Sequence, residues 1–88
     1  MTNWYNFPSQ IGYAPTSEGV YLLGDQSEVV IYAGRADSIR ERLSTHPDPK
    51  NPCLGRKVIK YFAYEETSNS EVREQGLIDH YNPECNRE

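Results

Sequence analysis

The sequence lacks the features that mark disulfide-rich, membrane-spanning and zinc-binding proteins. Its two cysteines, Cys53 and Cys85, lie far apart and form no paired spacing, which indicates neither a disulfide framework nor a zinc knuckle. Adding His46 and His80 yields no pair at ligand spacing, so we expect two buried or inert thiols. No stretch approaches the ~20 apolar residues of a membrane span, and the first residues lack the basic start of a signal peptide. We therefore expect a cytoplasmic protein without membrane contact.

Basic residues are absent from the first 34 positions, and the whole chain carries a net charge of −4. Residues 35–60 are the exception, with seven bases against three acids. A clustered positive patch is the electrostatic footprint of an anion-binding surface such as one for phosphate, although a solvated surface has the same composition. The bases of this stretch are Arg35, Arg40, Arg42, Lys50, Arg56, Lys57 and Lys60.

A length of 88 residues allows one domain with a modest core and excludes two. Residues 1–17 mix aromatic residues with proline and glycine, which predicts an irregular lead-in packed on the core. Residues 18–88 then form the single folded domain.

Two short motifs predict a β-hairpin. Gly19-Val20-Tyr21 lies in a first strand over about 18–24, and Tyr32-Ala33-Gly34 in a second over about 28–34, with polar turn residues between them. A turn centred between Gln26 and Ser27 would place Tyr21 opposite Tyr32 and Gly19 opposite Gly34. Two phenols would then stand side by side on one face of the sheet, as a binding site or as a stabilising aromatic pair.

The rest of the chain predicts a helix, a strand and a second helix. Residues 38–46 begin with the Ser-x-x-Glu pattern of a capping box and end before Pro47, while residues 58–64 have strand composition. The second helix begins with another such pattern at Ser68–Glu71 and ends at Asn82-Pro83. Arg42 and His46 are four residues apart and share one edge of the first helix.

Glu74 is the residue of the second helix that most needs an explanation. Counting back from Leu77, Ile78 and Tyr81 by three, four and seven residues leads to Glu74, so this carboxylate lies in line with the apolar face. A carboxylate near a core needs a cation, a hydrogen-bond donor or a metal ion. A salt bridge and a metal site are both consistent with this position.

Taken in order, these residues resemble the GIY-YIG nuclease domain over residues 17–86. Gly19-Val20-Tyr21 and Tyr32-Ala33-Gly34 stand for its two name-giving motifs. The further matches, in chain order, are Arg42, His46, Glu74 and Asn86. The resemblance implies an α+β fold with a small antiparallel three-stranded sheet flanked by helices, in the order β-β-α-β-α.

The resemblance also implies hydrolysis of a nucleic-acid phosphodiester, DNA in the first place, with one Mg²⁺ or Mn²⁺ ion held by Glu74. In this scheme Tyr21 accepts a proton from the attacking water, which requires a depressed phenol pKa. Arg42 stabilises charge on the phosphoryl oxygens, and Tyr32 and His46 assist. The predicted substrate-binding residues are Arg35, Arg40 and Lys57 from the basic stretch, with Asn86, which matches the family and fixes local geometry.

Two further hypotheses stay open. A GIY-YIG-like domain can bind nucleic acid or a protein without cutting, since one basic patch gives few phosphate contacts and a protein partner would then supply specificity. In a plain α+β interaction module, Tyr21, Tyr32 and Glu74 would form a hydrogen-bond network of the core.

Overall fold

The computed structural model describes residues 1–87. In this range the strands are β1 (Tyr5–Asn6), β2 (Gly19–Gly24), β3 (Val30–Ala36) and β4 (Tyr61–Glu66). The helices are α1 (Ile39–Leu43), α2 (Pro52–Gly55) and α3 (Ser70–Tyr81). Two 3₁₀ turns complete the order, Ile11–Tyr13 after β1 and Glu84–Asn86 after α3.

The strands form one antiparallel sheet in the order β1-β4-β2-β3. Its apolar centre is β2, which is buried at every position. The predicted α+β class is confirmed, but a three-stranded sheet is wrong, because the lead-in contributes β1 and pairs Tyr5 with Phe62. Strand β1 has only two residues, one of them aromatic, and proline and glycine follow it. Such a short segment shows no alternation of apolar and polar residues that would predict a strand.

The register of the predicted hairpin is also wrong. Tyr21 pairs with Gly34 and Gly19 pairs with Ala36, so Tyr32 lies opposite Leu23. The loop is longer than a tight turn and asymmetric, with Glu28 in the left-handed region at φ 63° and an irregularity between Leu23 and Gly24. This shifts β3 by two residues along β2, which keeps Tyr21 and Tyr32 on one face as diagonal neighbours.

The helices differ from the expected ones mainly at their ends. The capping bond from Glu41 N–H to Ser38 Oγ is present. However, α1 ends at Leu43, because the hydroxyl groups of Ser44 and Thr45 donate hydrogen bonds to the carbonyls of Arg40 and Arg42. The segment predicted as a proline-rich loop contains the short helix α2, which Asn51 caps. The prolines favoured a loop in the sequence, although proline is also common in the first turn of a helix.

The later elements start after their expected positions. The third long strand covers 61–66 rather than 58–64, and α3 begins at Ser70, without a side-chain capping bond. Its predicted end is correct, because Asn82 adopts the left-handed conformation before Pro83.

Two apolar layers enclose the sheet. On one face, Tyr21 and Leu23 pack against Ile39 and Leu43 of α1, together with side chains of the lead-in. On the other face, Val20 and Leu22 pack against Leu77 of α3. Within residues 1–87, no helix is both long and apolar enough to cross a membrane.

The expectation of two free thiols is wrong, because Cys53 and Cys85 form a disulfide with a Cα–Cα distance of 5.4 Å. The bond joins α2 to the C-terminal 3₁₀ turn, where Asn51 Nδ2 also donates to the Cys85 carbonyl at 3.2 Å. A pairing across 32 positions depends on the fold and leaves no local spacing signal. It also excludes both sulfurs as metal ligands.

Candidate active site

A cavity of about 470 Å³ opens at β3, the edge strand, between α1 and α3. Four of the predicted site residues line it: Tyr32, Arg35, Arg42 and Glu74. The remaining lining residues are Ala36, Asp37, Ser38, Glu41 and Thr45. One phenol, two guanidinium groups and one carboxylate therefore meet in a single depression, although they come from three separate segments of the chain.

Tyr21 lies behind this cavity rather than in it. Its exposed fraction is 0%, whereas Tyr32 is half-buried and lines the cavity. The two rings are tilted, with centroids 6.2 Å apart. The Tyr21 phenol is therefore closed off from solvent, whereas the Tyr32 phenol lies at the wall of the cavity.

His46 supports Tyr21 from the end of the α1 segment. The Tyr21 hydroxyl and His46 Nε2 are 2.7 Å apart, and the two rings have centroids 5.5 Å apart. Burial, together with the nearby Arg42 charge, lowers the pKa of His46 to about 4. The imidazole is therefore neutral near pH 7.

Arg42 lies close enough to the Tyr21 phenol to affect its ionisation, since its charge lowers the pKa of Tyr21 against the effect of burial. The second ring nitrogen of His46, Nδ1, is buried and has no hydrogen-bond partner within residues 1–87.

Neither Tyr21 nor Tyr32 has the depressed pKa that a tyrosine needs to accept a proton from water near pH 7. Burial raises the pKa of Tyr21 above its ordinary value, and the neighbouring Tyr32 adds to the shift. Burial also raises the pKa of Tyr32, while interaction with Arg42 opposes the shift. The protein's own charges thus leave both groups neutral near pH 7, with Arg42 as the cation that favours ionisation.

Glu74 reaches the cavity from the middle of α3. It is half-buried, and burial raises the pKa of its carboxyl group while Arg35 and Arg42 lower it. Leu77 on the same helix is buried, but Tyr81, expected on the same stripe, is 43% exposed. The charges of the two arginines therefore partly compensate the desolvation of the Glu74 carboxylate. Within residues 1–87, neither arginine forms a direct ion pair with it.

The donor set around Glu74 fits a hard divalent cation that keeps most of its water. Residues 1–87 contain no group of three or more His, Cys, Asp or Glu side chains that could hold a metal ion. Zn²⁺ needs such a group, whereas Mg²⁺ binds through one or two carboxylates and completes its shell with water and phosphate oxygens. Glu74 lines the open cavity together with Asp37 and Glu41 without forming such a group, which matches the second pattern.

The structure places the other three predicted substrate-binding residues away from the cavity lining. Arg40 donates from Nε to the Ala14 carbonyl at 2.7 Å. Lys57 pairs with Glu84 at 2.8 Å. Asn86 exchanges two hydrogen bonds with the backbone of Ala33, at 2.8 and 2.9 Å, and so covers the free edge of β3 as a strand would.

Two residues beside the cavity escaped the sequence analysis, Glu18 and Ser70. Ser70 is 1% exposed and hydrogen-bonds both Glu18 and Arg35. Its position four residues before Glu74 was the available signal, because that spacing places both side chains on one face of α3.

Known proteins are similar to this chain in both sequence and fold. The UvrABC system protein C of Mycoplasma mycoides is 31% identical over 83 residues, which cover 88% of this chain and 14% of that protein. The protein of the same name from Porphyromonas gingivalis is 33% identical over 79 residues, 82% of this chain and 13% of that protein. The chain thus spans about a seventh of the length of these relatives, and no family model matches it.

Two solved structures of one domain agree with this similarity. They show the GIY-YIG N-terminal endonuclease domain of UvrC from Thermotoga maritima, one bound to magnesium as its catalytic divalent cation, the other a point mutant bound to its catalytic divalent cation. The magnesium-bound structure has a TM-score of 0.70 and 25% identity, covering 88% of this chain and 91% of that one. The mutant has a TM-score of 0.72 and 26% identity, covering 91% and 93%.

Fold and cavity together define a small α+β domain of the nuclease type, with its polar residues gathered at one edge of an antiparallel sheet. Within that class, the chain belongs to the GIY-YIG nuclease domain superfamily, which confirms the resemblance seen in the sequence.

Proposed function

We propose that this chain is a metal-dependent endonuclease domain that hydrolyses phosphodiester bonds of DNA in the cavity at β3. The observation that carries the proposal is the meeting of Tyr32, Arg42 and Glu74 in one open cavity of about 470 Å³. These side chains supply a proton acceptor, a phosphate-binding cation and a ligand for a hard metal ion. The magnesium-bound Thermotoga maritima domain of the same fold supports this combination.

Tyr32 is the residue placed to take the proton of the attacking water. It is the tyrosine that lines the cavity, and its hydroxyl lies within the influence of Arg42, which opposes the effect of burial on the phenol pKa. The buried Tyr21–His46 pair lies behind it, with the Tyr32 and His46 ring centroids 5.6 Å apart. That pair packs against the Tyr32 ring rather than meeting the substrate.

Arg42 and Arg35 are placed to bind the phosphoryl oxygens. A guanidinium group presents several donors in a planar fork that matches two phosphate oxygens, and it keeps its charge throughout the reaction. Because both arginines line the cavity, negative charge that develops on the phosphorus centre meets donors already in place.

Glu74 is the residue that would hold Mg²⁺. When bound, the ion supplies positive charge that stabilises the phosphate oxygens and favours ionisation of water. The burial that raises the pKa of the Glu74 carboxyl also disfavours its unpaired anion, so binding of a cation relieves an unfavourable state.

The proposed substrate is DNA, delivered by a separate protein or domain, and the proposed location is the cytoplasm. The chain corresponds to 14% of the length of the Mycoplasma mycoides relative and carries a net charge of −4. Arg40 and Lys57 are partly engaged within the protein, which leaves few bases for phosphate contacts. Affinity for DNA rises with the number of such contacts, so weak intrinsic binding is expected.

Nicking of supercoiled plasmid tests the proposal. The wild-type protein should nick the plasmid with Mg²⁺ or Mn²⁺ and lose this activity with EDTA, and Arg42→Ala should reduce the rate by at least about a hundredfold. Lys50→Ala, which removes an exposed base from the proline-rich loop, is the matched control and should retain most activity. Absence of nicking, or equal nicking by wild type and Arg42→Ala, would contradict the proposal.

A mobility-shift assay on the same DNA separates the non-cutting alternative. A salt-sensitive shift without any nicking would favour a binding module, since phosphate contacts alone give such salt dependence. Loss of melting temperature in Glu74→Ala without any interaction with DNA would instead favour a core hydrogen-bond network.

A further inference from the structure

A hydrogen-bonded chain of three side chains joins β2, β3 and α3 beside the cavity. Arg35 Nε on β3 donates to Ser70 Oγ on α3 at 2.9 Å, and Ser70 Oγ donates in turn to Glu18 Oε2 just before β2. Arg35 Nη2 lies 3.9 Å from the same Glu18 oxygen and 3.0 Å from Asp37 Oδ1. The hydroxyl of Ser70 thus makes one bond as acceptor and one as donor.

We propose that Ser70 and Glu18 are positioning residues, which hold the Arg35 guanidinium at the wall of the cavity so that it binds a phosphate oxygen of the substrate. The inference rests on the proposed function and explains how the Arg35 guanidinium is held at the cavity of that function. Ser70 itself does not meet the substrate, because it is 1% exposed and absent from the cavity lining.

The number of donors on Arg35 makes this role chemically consistent. A guanidinium group has five N–H donors, of which one is used by Ser70 and one by Asp37. The remaining donors stay available at a side chain that is 32% exposed and lines the cavity. Holding a long side chain in its bound conformation before the ligand arrives reduces the entropy lost on binding.

The geometry of α3 links this chain of bonds to the proposed metal ligand. Ser70 and Glu74 are one helical turn apart on the same face, and Arg35 interacts with both. Its positive charge, together with its backbone N–H, lowers the pKa of Glu74 against the effect of burial. The bond from Arg35 to Ser70 thus anchors the guanidinium one helical turn away from Glu74 on α3.

A double-mutant cycle on DNA affinity tests the inference, with fluorescence anisotropy of a labelled duplex at low salt and with Ca²⁺ in place of Mg²⁺. Ser70→Ala should weaken binding roughly two- to tenfold in the wild-type background. In an Arg35→Met background the same change should have no further effect, since no guanidinium is left to position. Ser70→Thr, which keeps the hydroxyl, should restore wild-type affinity.

Folding is checked for each variant by its thermal transition, and Ser70→Cys, which keeps the volume but hydrogen-bonds weakly, replaces Ser70→Ala if that variant does not fold. Equal weakening in both backgrounds, or none in the wild-type background, overturns the inference and leaves the proposed nuclease intact if plasmid nicking persists. Wild-type protein that neither binds nor nicks DNA overturns both.

Discussion

The phenol of Tyr21 lies directly over the backbone of Gly34, its partner across β2 and β3. A Cβ atom at Gly34 would approach Tyr21 Cζ and Oη to 2.6 Å, inside any normal contact distance. The glycine of the second motif is therefore the surface on which the tyrosine of the first motif rests, and the same contact presents the Tyr21 hydroxyl to His46 at 2.7 Å.

Gly34→Ala should accordingly destabilise the fold and disturb the site. The methyl group displaces a ring that is fully buried, for which overpacking costs about 1–3 kcal/mol. Urea denaturation measures the free energy of unfolding. Gly76→Ala is the matched control, because nothing lies within 4 Å of a Cβ there and a helical position gains about 1 kcal/mol from the change. Equal stability of Gly34→Ala and wild type would disprove the contact.

His46 should make stability depend on pH in a defined window. Its folded-state pKa of about 4 lies below the ordinary value of 6.5, so the unfolded chain binds more protons between these values. Stability is therefore fully present above pH 6.5 and decreases as pH falls towards 4. The groups that act on the ring are Arg42, which lowers its pKa, and Asp48, which raises it.

The measurement is the melting temperature between pH 6.5 and 5, above the range where most carboxylates titrate. His46→Gln should flatten the dependence, whereas His80→Gln, at an exposed position of α3, should leave it unchanged. A slope that persists in His46→Gln would assign the effect to another group.

The disulfide between Cys53 and Cys85 should contribute strongly to stability. It closes a long loop, for which the entropic model gives roughly 3–4 kcal/mol. Adding dithiothreitol should lower the free energy of unfolding of the wild type by this amount and leave a Cys53→Ser, Cys85→Ser variant unchanged. Two reactive thiols in the unreduced, denatured wild type would show that the bond does not form.

The two tyrosines should respond differently to loss of their hydroxyl groups. Tyr32→Phe should reduce nicking by about a hundredfold or more with little change in stability, because its hydroxyl meets the cavity. Tyr21→Phe should mainly lower stability, by about 1–3 kcal/mol, since it leaves His46 Nε2 buried without its partner. Rates and melting temperatures of both variants are compared with Tyr13→Phe, an exposed tyrosine outside the cavity. If Tyr21→Phe instead lost the activity and Tyr32→Phe kept it, Tyr21 would be the proton acceptor.

The sequence was sufficient for the order of the longer strands and helices, though not for β1 and α2, and for the residues that gather at the cavity. Alternation, capping patterns and the ordered motifs are local, and they led to Tyr32, Arg42 and Glu74 without coordinates. The exposure of each side chain is not local. Which of two tyrosines on one face meets solvent depends on the packing around each ring, since Tyr21 lies within the buried core and Tyr32 at its margin.

The missed features share a cause, since each depends on chain segments that meet only after folding. The Cys53–Cys85 bond crosses 32 positions, and the bond between Ser70 and Glu18 crosses 52. Strand β1 exists because β4 offers a free edge to Tyr5. Elements with a repeating pattern were predictable, and single contacts between distant segments were not.

The initial rate of plasmid nicking by Glu74→Gln tests most directly whether Glu74 and its neighbours form a working phosphodiesterase site. This variant keeps the shape of the side chain and removes the charge that would hold Mg²⁺. Its rate should fall by at least about a hundredfold, while Asp79→Asn, an exposed carboxylate on the same helix, should cut at the wild-type rate. Wild-type cutting by Glu74→Gln would contradict the account.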